Sequence, residues 1–244
     1  MKISKNIVLI VLLLLPLVGF SQKWKLSRSE YVYGIGISNY FGDIGGSANS
    51  DASSFLDLDI GSSRPVLTVG YRYKLYEIIS IKGGLSYANI YGTDVKSANE
   101  GRNYAFSTNM LELDGQVEFH ILKEQQMMSY KIMSMRGKLQ KFNAGINLYV
   151  FGGIGGAFFN TKALDSLEGD DRFENKNLTL AFPVGFGLKY PLTSITYIGL
   201  EMGARFTTSD FIDGFKPAQS DSKDMYYFTV INVSTKIKKS KRRK

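Results

Sequence analysis

From Leu111 to Ile121 every second residue is apolar or small, namely Leu111, Leu113, Gly115, Val117, Phe119 and Ile121, and the residues between them are Glu112, Asp114, Gln116, Glu118 and His120. A period of two places the two sets on opposite faces of a strand. The alternating stretch spans residues 110–122, and seven further segments repeat the pattern: 31–41, 65–75, 78–91, 145–159, 178–190, 195–207 and 225–237. In 65–75, Leu67, Val69, Tyr71 and Tyr73 alternate with Thr68, Gly70, Arg72 and Lys74; in 195–207, Ile198, Leu200, Met202 and Phe206 alternate with Tyr197, Gly199, Glu201 and Arg205. The last segment alternates weakly. Pro183 lies inside the sixth, and because proline donates no ladder hydrogen bond it predicts a bulge or local break there.

The connections alternate in length. Those at 42–64, 92–104, 160–177 and 208–224 are long and polar, while the second and sixth are tight turns. An even antiparallel barrel with both termini on one side has this rhythm. The chain therefore predicts an all-β fold, an eight-stranded antiparallel transmembrane up-and-down β-barrel with a filled polar lumen over residues 31–237. Eight strands leave room for side chains or one small ligand, not for a porin channel. The fourth connection, 123–143, breaks the rhythm with five basic residues and Met127, Met128, Met133 and Met135. It holds either a short amphipathic helix at the membrane surface or an ordinary hairpin extending strands four and five.

The start of the chain agrees with export. Lys2 and Lys5, the apolar run from Ile7 to Val18 and the small-x-small site Gly19-Phe20-Ser21 predict a signal peptide over 1–21, followed by a polar lead over 22–30. A retained transmembrane helix is the competing reading, against which stand the short apolar run and Pro16. The destination is then the outer membrane of a diderm bacterium, with lipid bilayer and lipopolysaccharide around the barrel and both termini periplasmic.

Charge and composition narrow the chemistry. The formal net charge is +8, but Lys2, Lys5 and the basic tail over 238–244 carry much of the excess, so no nucleic-acid surface follows. With no cysteine the chain has no disulfide, thiolate metal site or cysteine nucleophile. Inward positions bring together Arg72, Lys74, Lys82, Glu112, Asp114, Glu118, Lys189, Glu201 and Arg205, nearly balanced in sign. These predict a packed ion-pair network; an ion path or a catalytic dyad is the alternative. His120, the single histidine, is expected as a satisfied lumenal side chain rather than part of a Ser-His-Asp relay. The run Phe151-Gly152-Gly153-Ile154-Gly155-Gly156 is not a phosphate loop, because nothing helical follows it. Neither a cofactor nor a metal is expected, and the chain is read as non-enzymatic.

Several glycine and aromatic blocks carry a resemblance. The blocks 33–46 (YGIGISNYFGDIGG), Arg64-Pro65 with Gly70-Tyr71-Arg72-Tyr73, Glu112 to Phe119, 149–155 (YVFGGIG), 185–190 (GFGLKY) and 203–213 (GARFTTSDFID) resemble the PorG-like outer-membrane proteins of Bacteroidetes. The sequence departs from that family at 209–213 and in the fourth connection. The resemblance implies a component of the type IX secretion machinery, anchoring or contacting a periplasmic ring made of a lipoprotein and its soluble partner. Lys123, Met127, Met128, Lys131, Arg136, Lys138 and Lys141 of the fourth connection, with Lys238, Lys239 and Lys241 of the tail, are the candidate contacts. A general structural or adhesion barrel acting through its extracellular loops is the alternative function. A small lipid-modifying enzyme is a third.

Overall fold

The computed structural model describes residues 27–42, 44, 60–95, 101, 103–122, 124, 145–169, 173, 177–209, 211–215 and 223–237. Eight strands occur among them: β1 (Ser29–Phe41), β2 (Arg64–Lys74), β3 (Ile79–Thr93), β4 (Tyr104–His120), β5 (Asn147–Asp165), β6 (Leu178–Pro191), β7 (Thr196–Thr207) and β8 (Met225–Ile237). Each pairs antiparallel with its sequence neighbour, and β8 returns to β1, closing the barrel. The signal segment, most of the lead, all but Glu124 of the fourth connection and the basic tail lie outside the described residues. So do all ten candidate partner contacts.

Register fixes the geometry. Stepping through paired residues from Ser29 to Tyr73, Ile81, Val117, Gly152, Val184, Ala204 and Tyr227 leads back to β1 at Asn39, ten residues along the strand. That shear implies a strand tilt toward the upper end of the about 35–45° usual for barrels, and an interior sized for side chains. At Pro183 the sequence expectation resolves as a break without a bulge. Pairing of β5 with β6 lapses between Gly152↔Val184 and Gly155↔Ala181, the register is unchanged on either side, and Pro183 still pairs with Arg205 of β7.

Inside and outside are reversed relative to a soluble protein. Ile35, Leu113 and Tyr33 are 66%, 61% and 56% exposed, whereas Glu112 and Glu118 are fully buried. Apolar side chains on the outside of a closed ladder, with charges within, make this a membrane-spanning barrel, because closure leaves no open sheet edge and the hydrocarbon-facing surface is apolar. The belt ends at a rung of outward asparagines, Asn89, Asn109 and Asn160, which pair across β3, β4 and β5. Asn89 Nδ2 donates to Asn109 Oδ1 at 3.0 Å. Beyond it the outward positions Ser107 and Lys162 are polar, so these three strands, the longest of the eight, rise above the belt. Tight turns follow β2 and β6 at the terminus end, which is also where the chain leaves β4 and enters β5; the connections after β1, β3, β5 and β7 start and finish at the opposite, loop end.

Candidate functional site

The inward rows of the strands divide the lumen into two halves. On β4 the row runs Tyr104, Phe106, Thr108, Met110 and then Glu112, Asp114, Gln116, Glu118, His120, all buried. On β8 it runs Tyr226, Phe228, Val230 and then Asn232, Ser234, Lys236. The apolar members lie toward the loop end and the polar ones toward the terminus end. The predicted polar filling thus occupies one half, and a hydrophobic core fills the other.

Arg72 organises the polar half. Its side chain is 1% exposed, and its Nε donates to Glu118 Oε1 at 2.8 Å, Nη1 to Glu30 Oε2 at 3.1 Å, and Nη2 to Glu201 Oε1 at 3.0 Å and Tyr149 Oη at 3.2 Å. One planar guanidinium satisfies three carboxylates because its donors fan out in a fixed fork. Lys82 Nζ reaches Glu201 Oε2 at 2.6 Å, Tyr149 donates to Glu201 Oε1 at 2.6 Å, and Lys189 Nζ donates to Glu30 Oε2 at 2.8 Å. Glycines make room for this packing: a Cβ at Gly187 would stand 2.3 Å from Tyr149 Cζ, and one at Gly203 2.8 Å from Phe151 Cζ.

Eight of the nine residues predicted for the network enter ion pairs. Lys74 pairs with Glu124. Glu112 and Arg205 form a separate pair, 3.6 Å apart, with Tyr226 donating to Glu112 Oε2 at 2.6 Å and the guanidinium 4.2 Å from the Phe228 ring centre. Asp114 departs from the expectation: it faces the lumen and accepts a hydrogen bond from Gln116, with no ion pair to a cation among the described residues, and the register sets Gly84 of β3 opposite it and Gly155 of β5 on its other flank. Sequence reading missed Glu30, Glu124, Lys236 and Tyr149. Glu30, one residue before the predicted first segment, and Lys236, inside the predicted eighth, both fall on the inward parity of β1 and β8, a signal that was available. Glu124 lies past the end of β4 and carries no parity.

His120 is satisfied on both nitrogens, as expected from the sequence. Asn147 Nδ2 donates to the carbonyl of Leu122, which turns its Oδ1 toward His120 Nδ1 at 3.0 Å. The proton therefore sits on Nδ1, and Nε2 accepts from Ser80 Oγ at 2.8 Å. Serine, histidine and asparagine thus follow one another as in a nucleophilic relay. All three are at most 2% exposed. The internal cavity, about 30 Å³ and bordered by Lys82, Asp114, Gln116, Phe151, Glu201 and Arg205, does not reach them and has room for about two waters.

The apolar half is capped by the connections. Ile44, Leu167, Ile212 and Phe215 fold over Ile90, Phe106, Met110, Phe159 and Phe228, with the rings of Tyr40 and Phe106 4.9 Å apart edge-on. Tyr40 donates to Asp213 at 2.9 Å and to Asp224; Thr108 and Thr161 donate to the Ile212 carbonyl at 2.7 and 2.8 Å; Asp224 accepts from the Ile212 amide at 2.8 Å. The sequence blocks around Tyr40 and around Asp213 therefore meet at the loop-end mouth.

Residues 5–236 match a family described as a domain of unknown function, DUF6089. The chain belongs to the DUF6089 family. No curated protein matches it. Solved structures similar to this family member include Ail, the attachment invasion locus protein of Yersinia pestis, in complex with the heparin analogue sucrose octasulfate (11% identity, 86% of this chain and 97% of that one, TM-score 0.43). Neisserial surface protein A (8% identity, 86% and 96%, TM-score 0.46) and the outer membrane protein OprG of Pseudomonas aeruginosa (10% identity, 87% and 98%, TM-score 0.44) are others. The barrel itself rests on the closed ladder of this DUF6089 chain.

Proposed function

We propose that this DUF6089 chain is a non-enzymatic outer-membrane barrel of a diderm bacterium that works through its rims, as a component of the type IX secretion machinery anchoring or contacting the periplasmic ring. The observation that carries the rim reading is the filled lumen. Arg72 and its carboxylates occupy one half and the apolar core the other, and the cavity found between the described residues, about 30 Å³, has room for about two waters. A barrel that passes nothing has its outer wall and its two ends left to act with. The start of β1, the end of β8 and the tight turns share one end, which is the periplasmic end in barrels of this architecture. Bilayer and lipopolysaccharide cover the wall. The secretion role is supported by the resemblance of blocks 33–46 and 203–213, whose Tyr40 and Asp213 make the same mouth contact. In this reading 123–143 and 238–244 present their basic residues to the ring's lipoprotein and soluble partner.

The test removes 125–143 and 238–244 from the full chain, keeping Glu124, and assays barrel folding by heat-modifiable gel migration. Co-purification of ring proteins and export of cargo are then measured. The expected result is a folded barrel that loses both. If ring proteins still co-purify and cargo is exported as before, the secretion role fails, and a structural or adhesive barrel acting through its extracellular loops takes its place.

A further inference from the structure

Past β4 the chain turns at Ile121 and Leu122, and Glu124 re-enters the mouth at the terminus end. Its side chain is 2% exposed and is met by cations from three different strands. Lys74 of β2 and Lys236 of β8 contact its carboxylate, and Lys189 Nζ of β6 lies 4.0 Å from Oε1. Lys189 and Lys236 also share Glu30, at 2.8 and 3.9 Å. For Lys74, Glu124 is the carboxylate partner among the described residues. Each lysine is at most 6% exposed by its side chain, so removing Glu124 would leave buried ammonium groups with too few counter-charges. Burial alone would raise the Glu124 carboxyl, but Lys189, Lys74 and Lys236 hold it well below the ordinary carboxylate range. The Leu122 carbonyl is fixed in turn by Asn147 Nδ2.

We propose that Lys74, Lys189 and Lys236 form a carboxylate-binding cradle in the terminus-end mouth, filled in cis by Glu124, so that one residue of the β4–β5 connection both seals the lumen and fixes where that connection begins. The lysines belong to strands and are set by the ladder, whereas their anion belongs to a connection. The cradle is therefore built by the barrel whether or not Glu124 occupies it, and a small free carboxylate has the right charge and shape to replace it. Neither the sidedness of the barrel nor a secretion role enters this inference.

The test uses the full chain refolded in detergent micelles. Glu124→Gly is expected to lower the thermal unfolding midpoint, and formate is expected to restore part of the loss where chloride at equal ionic strength does not. Glu124→Gln, with an amide filling the space, is expected to lose stability without formate rescue. Unchanged midpoints in both variants, or equal recovery with chloride, would overturn the cradle. Should Glu124→Gly fail to refold, tryptic cleavage at Lys131, Arg136, Lys138 and Lys141 in Glu124→Gln provides the readout. Cleavage is expected to accelerate by about tenfold or more, as when a charged hydrogen bond is lost from a local opening equilibrium. Cleavage at the wild-type rate would sink the proposal.

Discussion

Phe106 and Met110 point into the same lumen as Glu118 and His120 and sit on the same strand, yet the two halves are held by different forces. In the loop-end half, apolar side chains fill the space left by the shear, and contributions scale with area and shape. In the terminus-end half, each charge is bearable only because a partner stands within hydrogen-bond distance; the pair adds little net stability, but breaking it exposes an uncompensated charge. One half should therefore tolerate volume-conserving exchange, and the other should not tolerate any loss of a partner.

The largest expected effect is in the polar half. Arg72→Met leaves Glu30, Glu118 and Glu201 facing one another and should cost about 3–5 kcal/mol, read as a lower urea midpoint. Arg72→Lys should recover little, since an ammonium cannot reach three carboxylates in the guanidinium's plane. Nearly as large is Phe106→Ala, a cavity of about 3–4 kcal/mol under Tyr40 and the capping connections, with the same loss at acid and neutral pH. A loss that changes with pH would mean that the apolar half depends on the charges below it. Tyr226→Phe probes the junction, where the hydroxyl serves Glu112. The expected cost is about 1.5–3 kcal/mol in chemical denaturation, and a neutral outcome would mean that Arg205 alone holds that carboxylate.

The smallest expected effect is the pH dependence at Glu124. Facing it are Lys74 on β2, Lys189 on β6, Lys236 on β8, Glu30 on β1 and Tyr197 on β7. Its carboxyl is depressed in the folded chain, so its contribution is complete above the unfolded value of about 4.3 and is lost as pH falls through the lower folded value. The stability gap between wild type and Glu124→Gln should be constant at neutral pH and shrink only in strong acid. A gap that already closes near neutral pH would mean that the three lysines do not hold this carboxylate ionised, and would break the assignment.

The difference between the halves also explains what was legible in the sequence. Where the lumen is charged, inward and outward rows differ in polarity, and the period of two on β4 reads from Leu111 to Ile121. Where the lumen is apolar, both rows are apolar, and Tyr226, Tyr227, Phe228, Val230 and Ile231 blur into one run. That is why β8 alternates weakly and why the start of β4, with Tyr104 and Phe106, lies before the legible alternation, which begins at Met110. Strand number, order and the facing of eight ion-paired residues followed from periodicity and loop length. Glu124 did not, because a residue on a connection carries no face until the fold delivers it. The contact of Tyr40 with Asp213 was equally hidden, since it joins positions far apart in sequence through loop geometry rather than strand register.

The asparagine rung sets the depth at which the cylinder can rest. From Leu111 to Phe119 a tilted strand climbs about 20 Å, close to the height of a hydrocarbon layer it can match. Sliding toward the terminus end would draw the amides of Asn89, Asn109 and Asn160 into lipid tails, at a cost of several kcal/mol. Sliding the other way would lift Tyr87, Leu111 and Phe158 into water. The barrel is thus pinned like a collar on a shaft, and its other mouth, with Lys74, Lys189 and Lys236 behind Glu124, is held level with the lipid headgroups.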